Sequence, residues 1–497
     1  MLKHNYLKTI TRLGLFKNAR SFEDIQNQIQ NHSEVEKSQG DAFEVFAEAY
    51  LKLGFHIQYQ KVHPENDIPY LIAKKYKIPK RKVNLPGIDG VMIDLADQVF
   101  TYQVKFTTIT NYKLPWGKLA RSIAISTKTK GALIFTNAVS IHDDIKNHGG
   151  FAITKSDLDQ LTLKDLKRIE ALVYKGRYEK KEVYSLRSYQ KNAFNDVIDA
   201  FKSKDRAQLI MACGTGKTLV GQRLIEEING KVTLVLVPSL QLLEQTVDEY
   251  IKQTSWKALP AIFVGSDPSI PRGYDLFQLE QKDLKYQITT DPKEIRTFIK
   301  LNFKNSIIFS TYHSCHVVGK ALKNKTIDFA IFDEAHKTTG ADGTFASFGL
   351  HDENIKINKR LFMTATPKKY ARKSNKDSDI SVNVMGDSSI YGEVAHYLSF
   401  YKAAELDIIC KHKLIISVID SKDLDRQRLK ESQTIIKKEA INSKYLAKNL
   451  ALRDAIKKVN AKKIITFNTT INQADNLIKD GPLSIRNHLN GYDLYHV

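Results

Sequence analysis

A strand-to-helix junction at residues 207–228 constrains this chain more than any other feature. AQLIM (Ala207–Met211) is a short apolar run with the length of a buried strand, and LVGQRLIEEI (Leu219–Ile228) has the spacing of an amphipathic helix. Between them stands ACGTGKT. Glycines in a tight turn at a helix N-terminus let backbone N–H groups point at an anion, and such a turn is suited to phosphate oxygens. Gly214, Thr215 and Gly216 would form the cradle, Lys217 would reach the outer phosphates, and Thr218 would offer its hydroxyl to Mg²⁺. The strict GxxxxGK[ST] pattern asks for Gly where this chain has Met211.

A second tetrad completes the chemistry. IDFAIFD is an apolar strand-like run that ends in DEAH, Asp333–His336. Acids at the carboxyl end of a buried strand lie where an α/β sheet binds its ligands. Asp333 is the candidate Mg²⁺ holder, and Glu334 the candidate base for the attacking water. VTLVLV, SIIFS and RLFMT are further short apolar runs, and they alternate with helical patterns. That alternation predicts an α/β domain with a parallel sheet buried on both faces.

The order of motifs resembles the first motor domain of superfamily 2 helicases and translocases. LRSYQKNAF resembles the segment before the phosphate loop, and the resemblance implies that Gln190 reads adenine. VPSLQLLEQT and FSTYHS resemble loops that touch nucleic-acid phosphates. MTATP resembles the motif that couples hydrolysis to movement through Thr364 and Thr366, with His336 in the same relay. ITTDP, DEAHKTTG and the later MGD–YG–LSF stretch are similar to the translocase of the single-polypeptide (type ISP) restriction enzymes. This resemblance implies ATP and Mg²⁺ as cofactors and double-stranded DNA as partner.

The part before the motor has its own pattern. A helix, DAFEVFAEAYLKLGF, is followed by the strands HIQYQ, GIDGVMID and VFTYQVKF, with a turn at 95–98, and then by ALIFTNAV and FAIT. Alternate residues of a strand share a face, so Gln103 and Lys105 point together, and Asp89 falls on the neighbouring strand. An acid, an acid or amide, and a Lys can hold Mg²⁺ and a water against a phosphodiester. The expected roles are metal binding for Asp89 and Gln103, charge stabilisation for Lys105, and an added carboxylate from Glu44. The order resembles the Mrr-like branch of PD-(D/E)xK nucleases, which accepts Gln at the second acid position. An inert, nuclease-like DNA-binding domain fits the same residues. The basic stretch AKKYKIPKRKV suits either a phosphate backbone or solvent.

The resulting expectation is an N-terminal helical extension (1–32), a restriction-endonuclease-like α/β domain (33–163), a linker (164–183), a RecA-like ATP-binding domain (184–400) and the start of a second RecA-like lobe (401–497). For that lobe the expected elements are LIISVID, a long helix over Glu439–Val459, the strand KIITF and the helix INQADNLI. No GRxxR-like arginine motif and no methyltransferase motif occurs, so the chain reads as the front of a larger enzyme. Methyltransferase and specificity parts would then lie on further domains or subunits. The net charge of +21 favours a polyanionic partner. Three scattered cysteines form no metal-ligand spacing, no run is long and apolar enough to span a membrane, and in a prokaryote the cytoplasm is the expected compartment. The function expected is an ATP-dependent DNA translocase or helicase coupled to a metal-dependent endonuclease. A non-catalytic DNA-binding relic and a viral or mobile-element helicase stand as alternatives.

Overall fold

A computed structural model describes residues 1–32, 36–55, 59–78, 87–94, 97–109, 111–148, 150–178, 183–256, 259–265, 288–301, 305–323, 325–341, 346–368, 382–411, 433–436, 439–442, 451–456, 458–459, 462–467 and 471–479. The chain divides into one unit of Met1–Pro268 with Leu279–Ile409, and another of Ser269–Gln278 with Cys410–Val497.

The first unit begins with helices α1 (Leu7–Leu13), α2 (Phe22–His32) and α3 (Glu36–Leu53). A five-stranded sheet follows, built from β1 (Tyr59–Pro64), β2 (Gly90–Asp94), β3 (Val99–Lys105), β5 (Ala132–Thr136) and β7 (Gly150–Ile153), in the order β1-β2-β3-β5-β7. The first two pairings are antiparallel and the last two parallel. A small parallel pair, β4 (Lys113–Leu114) with β6 (Ser140–Ile141), sits beside it. Helices α4 (Tyr70–Lys75), α5 (Ala120–Ser126), α6 (Asp143–Asn147), α7 (Lys155–Leu158) and α8 (Leu163–Lys175) complete this part.

One face of this sheet packs Tyr102, Val104, Leu133 and Phe135 against Phe43, Phe46 and Tyr50 of α3. The same core takes in Ile10, Phe16, Phe22, Ile25 and Ile29. Phe16 and Phe22 lie with ring centroids 5.7 and 5.6 Å from that of Phe46. The apolar residues of the expected N-terminal helical extension thus pack into the core of the five-stranded part. The segment expected as a linker also packs here. A capping box between Thr162 and Asp165 starts α8, left-handed Gly176 (φ 60°) ends it, and Leu166, Ile169, Leu172 and Val173 bury into the same core. The strand expected at HIQYQ begins at Tyr59, and residues 56–58 lie outside the described set.

The motor part opens with α9 (Ser188–Ala200), β8 (Arg206–Met211) and α10 (Lys217–Ile228). It continues through β9 (Val232–Val237), α11 (Leu240–Gln253), β10 (Ala261–Val264), β11 (Ile288–Thr289), α12 (Pro292–Lys300), β12 (Ser306–Thr311), α13 (Cys315–Leu322), β13 (Ile327–Asp333) and β15 (Ile357–Thr364). It closes with α14 (Ser388–Tyr391), β17 (Glu393–Leu398) and α15 (Phe400–Glu405), and a two-residue pair, β14 (Gly340–Ala341) with β16 (Val382–Asn383), lies between. The eight-stranded sheet runs β11-β10-β12-β9-β13-β15-β8-β17, and every pairing is parallel. Successive residues alternate between two cores. Val235, Phe309, Ile331, Leu361 and Met363 meet α9, α10 and α11, while Leu234, Ile308, Ala330, Phe332 and Phe362 meet α12 and α13. Burial on both faces is what continuous apolar strands require. At one margin β11 is two residues long; at the other β17 carries a bulge between Val394 and His396.

In the second unit β18 (Gln433–Ile436) and β19 (Glu439–Asn442) form an antiparallel hairpin, and α16 (Ile471–Ile478) matches the expected final helix. The start of the expected long helix over Glu439–Val459 is thus a strand. KIITF forms no strand: Ile465 and Phe467 are 82% and 95% exposed, without a sheet among the described residues to receive them. LIISVID lies outside the described residues.

Candidate active sites

Three adjacent strands, β13, β15 and β8, deliver their carboxyl ends side by side. In register, Asp333 pairs with Met363, and Thr364 with Ile210. The loop after β8 turns through left-handed Gly214 (φ 79°) and Gly216 (φ 80°), and α10 begins at Lys217. Those φ values need glycine, and they bring the free N–H groups of the helix start to the sheet end. Lys217 is buried and Thr218 half-buried at this helix N-terminus.

The loop is braced from α9. Gln190 Nε2 donates to Thr215 O (2.9 Å), Tyr189 Oη donates to the same oxygen (3.2 Å), and Gln190 Oε1 accepts from Arg187 N (3.0 Å). Both ends of the Gln190 amide are therefore engaged inside the protein. Thr215 Oγ1 donates to Ala212 O at 2.6 Å, closing the turn on itself.

The acids stand opposite. Burial pushes the Asp333 carboxyl up to about 6, helped by the charge of Glu334 and opposed by the Glu334 N–H and Lys217. Glu334 N donates to Asp333 Oδ1 (2.9 Å), and Glu334 itself is left-handed (φ 50°). A positive φ at a residue other than glycine marks this as a strained turn. His336 Nδ1 lies 2.9 Å from Thr364 Oγ1 and 3.4 Å from Glu334 Oε2. Burial lowers the His336 pKa; Glu334 opposes that and Lys337, Lys368 and Lys217 add to it. Thr366 N donates to Thr364 Oγ1 (3.1 Å), so Thr364, Thr366, His336 and Glu334 form one chain of contacts. A half-buried carboxylate whose charged form is disfavoured suits a divalent cation.

Two tyrosines support the acids from behind. Tyr312 Oη donates to Asp333 O (2.7 Å). The buried Tyr391 Oη lies 2.9 Å from Thr338 Oγ1, which donates to Ala335 O. Tyr312 and Tyr391 lie within the FSTYHS and MGD–YG–LSF stretches, and an aromatic hydroxyl there is the only sequence signal of these supports.

The second candidate site lies on the five-stranded sheet. Gly90 pairs with Tyr102, which sets Asp89 opposite Gln103, so their side chains share a face. Asp89 N donates to Tyr102 O (2.9 Å), and Asp89 Oδ2 accepts from Val104 N (2.7 Å). Gln103 is 2% exposed, and its Oε1 has no hydrogen-bond partner. A buried acceptor without a donor is costly, and a cation would satisfy it. Lys105 follows on the same face, half-buried at the end of β3. Glu44 is on α3, hydrogen-bonded to His4 (2.9 Å). Among the described residues no group of three or more His, Cys, Asp or Glu is assembled as a metal site. Two protein oxygens with waters suit Mg²⁺, which keeps much of its hydration shell.

Residues 183–369 match the family model of the type III restriction enzyme res subunit. A probable helicase, A859L, of African swine fever virus (isolate Tick/Malawi/Lil 20-1/1983) is 29% identical over 295 residues, covering 59% of this chain and 30% of that protein. Its counterpart in strain Badajoz 1971 Vero-adapted is 29% identical over 303 residues, with the same coverage of 59% and 30%. The chain thus spans about 30% of the length of these relatives. A solved structure of the ATP-dependent type ISP restriction-modification enzyme LlaBIII bound to DNA shares the fold, with a TM-score of 0.66 and 24% identity over 92% of this chain and 31% of that one. Residues 183–369 are thus similar to the res-subunit module of type III restriction enzymes. Among the described residues no helix is long and apolar enough to cross a membrane.

Proposed function

We propose that this chain is an ATP-driven motor on double-stranded DNA, of restriction type, joined to a Mg²⁺-dependent endonuclease. The observation that carries the motor reading is the meeting of Lys217, Asp333, Glu334 and Thr364 at three adjacent strand ends. The loop N–H groups and Lys217 bind and neutralise phosphate oxygens. Glu334 takes the proton of the attacking water, and the His336–Thr364 contact links that carboxylate to the MTATP loop. Gln190 reads the nucleotide once its amide leaves Thr215. Mg²⁺ held by Thr218 and Asp333 would supply the charge that offsets the phosphates. In the nuclease part, Asp89 and Gln103 would hold the cation, and Lys105 would stabilise the charge that develops on the phosphate. Methyltransferase or specificity parts are partners that a restriction role calls for.

The test is ATP hydrolysis with and without duplex DNA, alongside nicking of plasmid in Mg²⁺. Lys217→Ala is expected to abolish nucleotide binding and leave nicking in place, and Asp89→Asn is expected to do the reverse. ATP binding unchanged in Lys217→Ala sinks the motor reading. The viral relatives favour a second reading, a helicase acting in replication or transcription. Strand separation of a forked duplex would support it.

A further inference from the structure

The nuclease candidates lie on the face of the five-stranded sheet that is turned away from α3. Tyr102 and Val104 pack on α3, so Thr101 and Gln103 look the other way. Val91 pairs with Thr101 and Ile93 with Val99, which puts Asp89, Val91 and Ile93 on this second face as well. Two helices cover it. Ile72, Ala73 and Tyr76, in and just after α4, pack with Val91, Ile93 and Val99. Leu119 and Ile123, just before and in α5, pack with Ala132 and Ile134, the cross-strand partners of Thr101 and Gln103. Helix α4 thus lies toward the β2 side of the face and α5 toward the β5 side. At about 3.3 Å per residue, Asp89 is about 7 Å along its strand from the Val91 that α4 covers.

The outer sides of both helices are basic. Lys74, Lys75 and Lys77 are exposed on and just after α4, and Lys118 and Arg121 are exposed around the start of α5. Among the described residues none of these five cations is in an ion pair. Asp67, the acid before α4, is taken up by Lys3 (3.4 Å) and His63 (3.2 Å). Aromatic rings hold three of the ammonium groups at the surface. Lys74 Nζ is 6.0 Å from the centre of the Tyr70 ring, Lys75 Nζ 5.1 Å from that of Tyr76, and Lys118 Nζ 5.4 Å from that of Tyr112. Helix α4 also leads with an apolar tip, for Tyr70 and Leu71 are 68% and 77% exposed. Cations neutralise phosphates, and apolar side chains among them can enter the minor groove and wedge between base steps.

We propose that α4 is the element by which the nuclease part grips duplex DNA. Tyr70 and Leu71 enter the minor groove as a wedge, and Lys74, Lys75 and Lys77 lie on the phosphates beside it. Lys118 and Arg121 hold the backbone on the α5 side, so the duplex is gripped on both sides of the face that carries Asp89 and Gln103. The proposal rests on the nuclease reading above.

The experiment is amide hydrogen exchange of the full chain, free and with a short duplex, in a chelator so that no strand is cut. Peptides over residues 70–77 should gain protection with duplex, resolved from any protection within the motor. Plasmid nicking in Mg²⁺ across a salt series should lose about two from its logarithmic salt slope in the Lys74→Ala/Lys75→Ala double variant, close to one per phosphate contact. Leu71→Ala, at a position too exposed to matter for folding, should lose the kink of a dye-labelled duplex, read by energy transfer between its ends. No protection of 70–77 with duplex, or an unchanged salt slope in the double variant, overturns the docking surface. A kink unchanged in Leu71→Ala overturns the wedge. Protection that grows with protein concentration and needs no DNA assigns the tip to a second copy of this chain and overturns the proposal. Protection with duplex, but no nicking that Asp89→Asn removes, overturns the nuclease reading and leaves α4 as a DNA contact.

Discussion

Asp333→Asn should make the nucleotide-free protein more stable while destroying its ATPase activity. The carboxyl is pushed from an ordinary 3.8 to about 6, first by burial and then by the charge of Glu334. A shift of about 2 units corresponds to roughly 3 kcal/mol of penalty on the charged form. Asp333 is only half-buried by surface area at the strand end, so solvent screening brings the expected gain to about 1–2 kcal/mol. The raised pKa means that the folded state binds more protons than the unfolded state between about pH 4 and pH 6. Wild-type stability therefore falls as pH rises through that window and carries the full penalty above it. The amide keeps the acceptor for Glu334 N and carries no charge. Thermal melts in a chelator should show Asp333→Asn melting a few degrees above wild type at pH 8, with the gap closing by about pH 4. Mg²⁺ with ATP should reverse the order by stabilising wild type alone. A gap that is absent at pH 8, or that does not change with pH, refutes the reasoning.

Three other substitutions probe the frame. Phe22→Ala, which empties a site between Phe43 and Phe46, should cost about 3–5 kcal/mol, seen as protease sensitivity of the five-stranded part; no change would restore residues 1–32 to a mere extension. Arg360 is 1% exposed and donates to the carbonyls of Gly349, Ile357 and Ile355 and to Asp352, so Arg360→Met should cost about 2–3 kcal/mol in urea denaturation. Gly216→Ala would drive a methyl into Gln190 Nε2 at a φ of 80°; about 1–2 kcal/mol of strain should appear as roughly tenfold weaker nucleotide binding by calorimetry.

What could be read from the chain beforehand was what is local. The β8 strand, its glycine turn and α10 are contiguous, as are β13 and its acids, so period and motif sufficed. Asp89 opposite Gln103 followed from strand alternation across a short turn. The misreadings have a common cause. Helix α8 shows a charged outer face, and its buried stripe of Leu166, Ile169 and Leu172 has meaning only against a core built by distant residues. KIITF is a short apolar run of strand-like composition, yet it forms no strand. The pairs His4–Glu44, Gln190–Thr215 and Thr338–Tyr391 join segments that no pattern in the sequence links.

The margins of the eight-stranded sheet bear on how this protein behaves at high concentration. A bare sheet edge is a template for intermolecular strand addition, the first step toward aggregation. One margin, β11, is too short to serve. The other, β17, exposes Val394 and Tyr397, yet its bulge breaks the row of backbone donors and acceptors, and His396 Nδ1 is held 2.7 Å from Asp196 of α9. Deleting Ala395 would straighten that strand. Light scattering of the variant should then show growth of oligomers that wild type, with its kinked border, does not form.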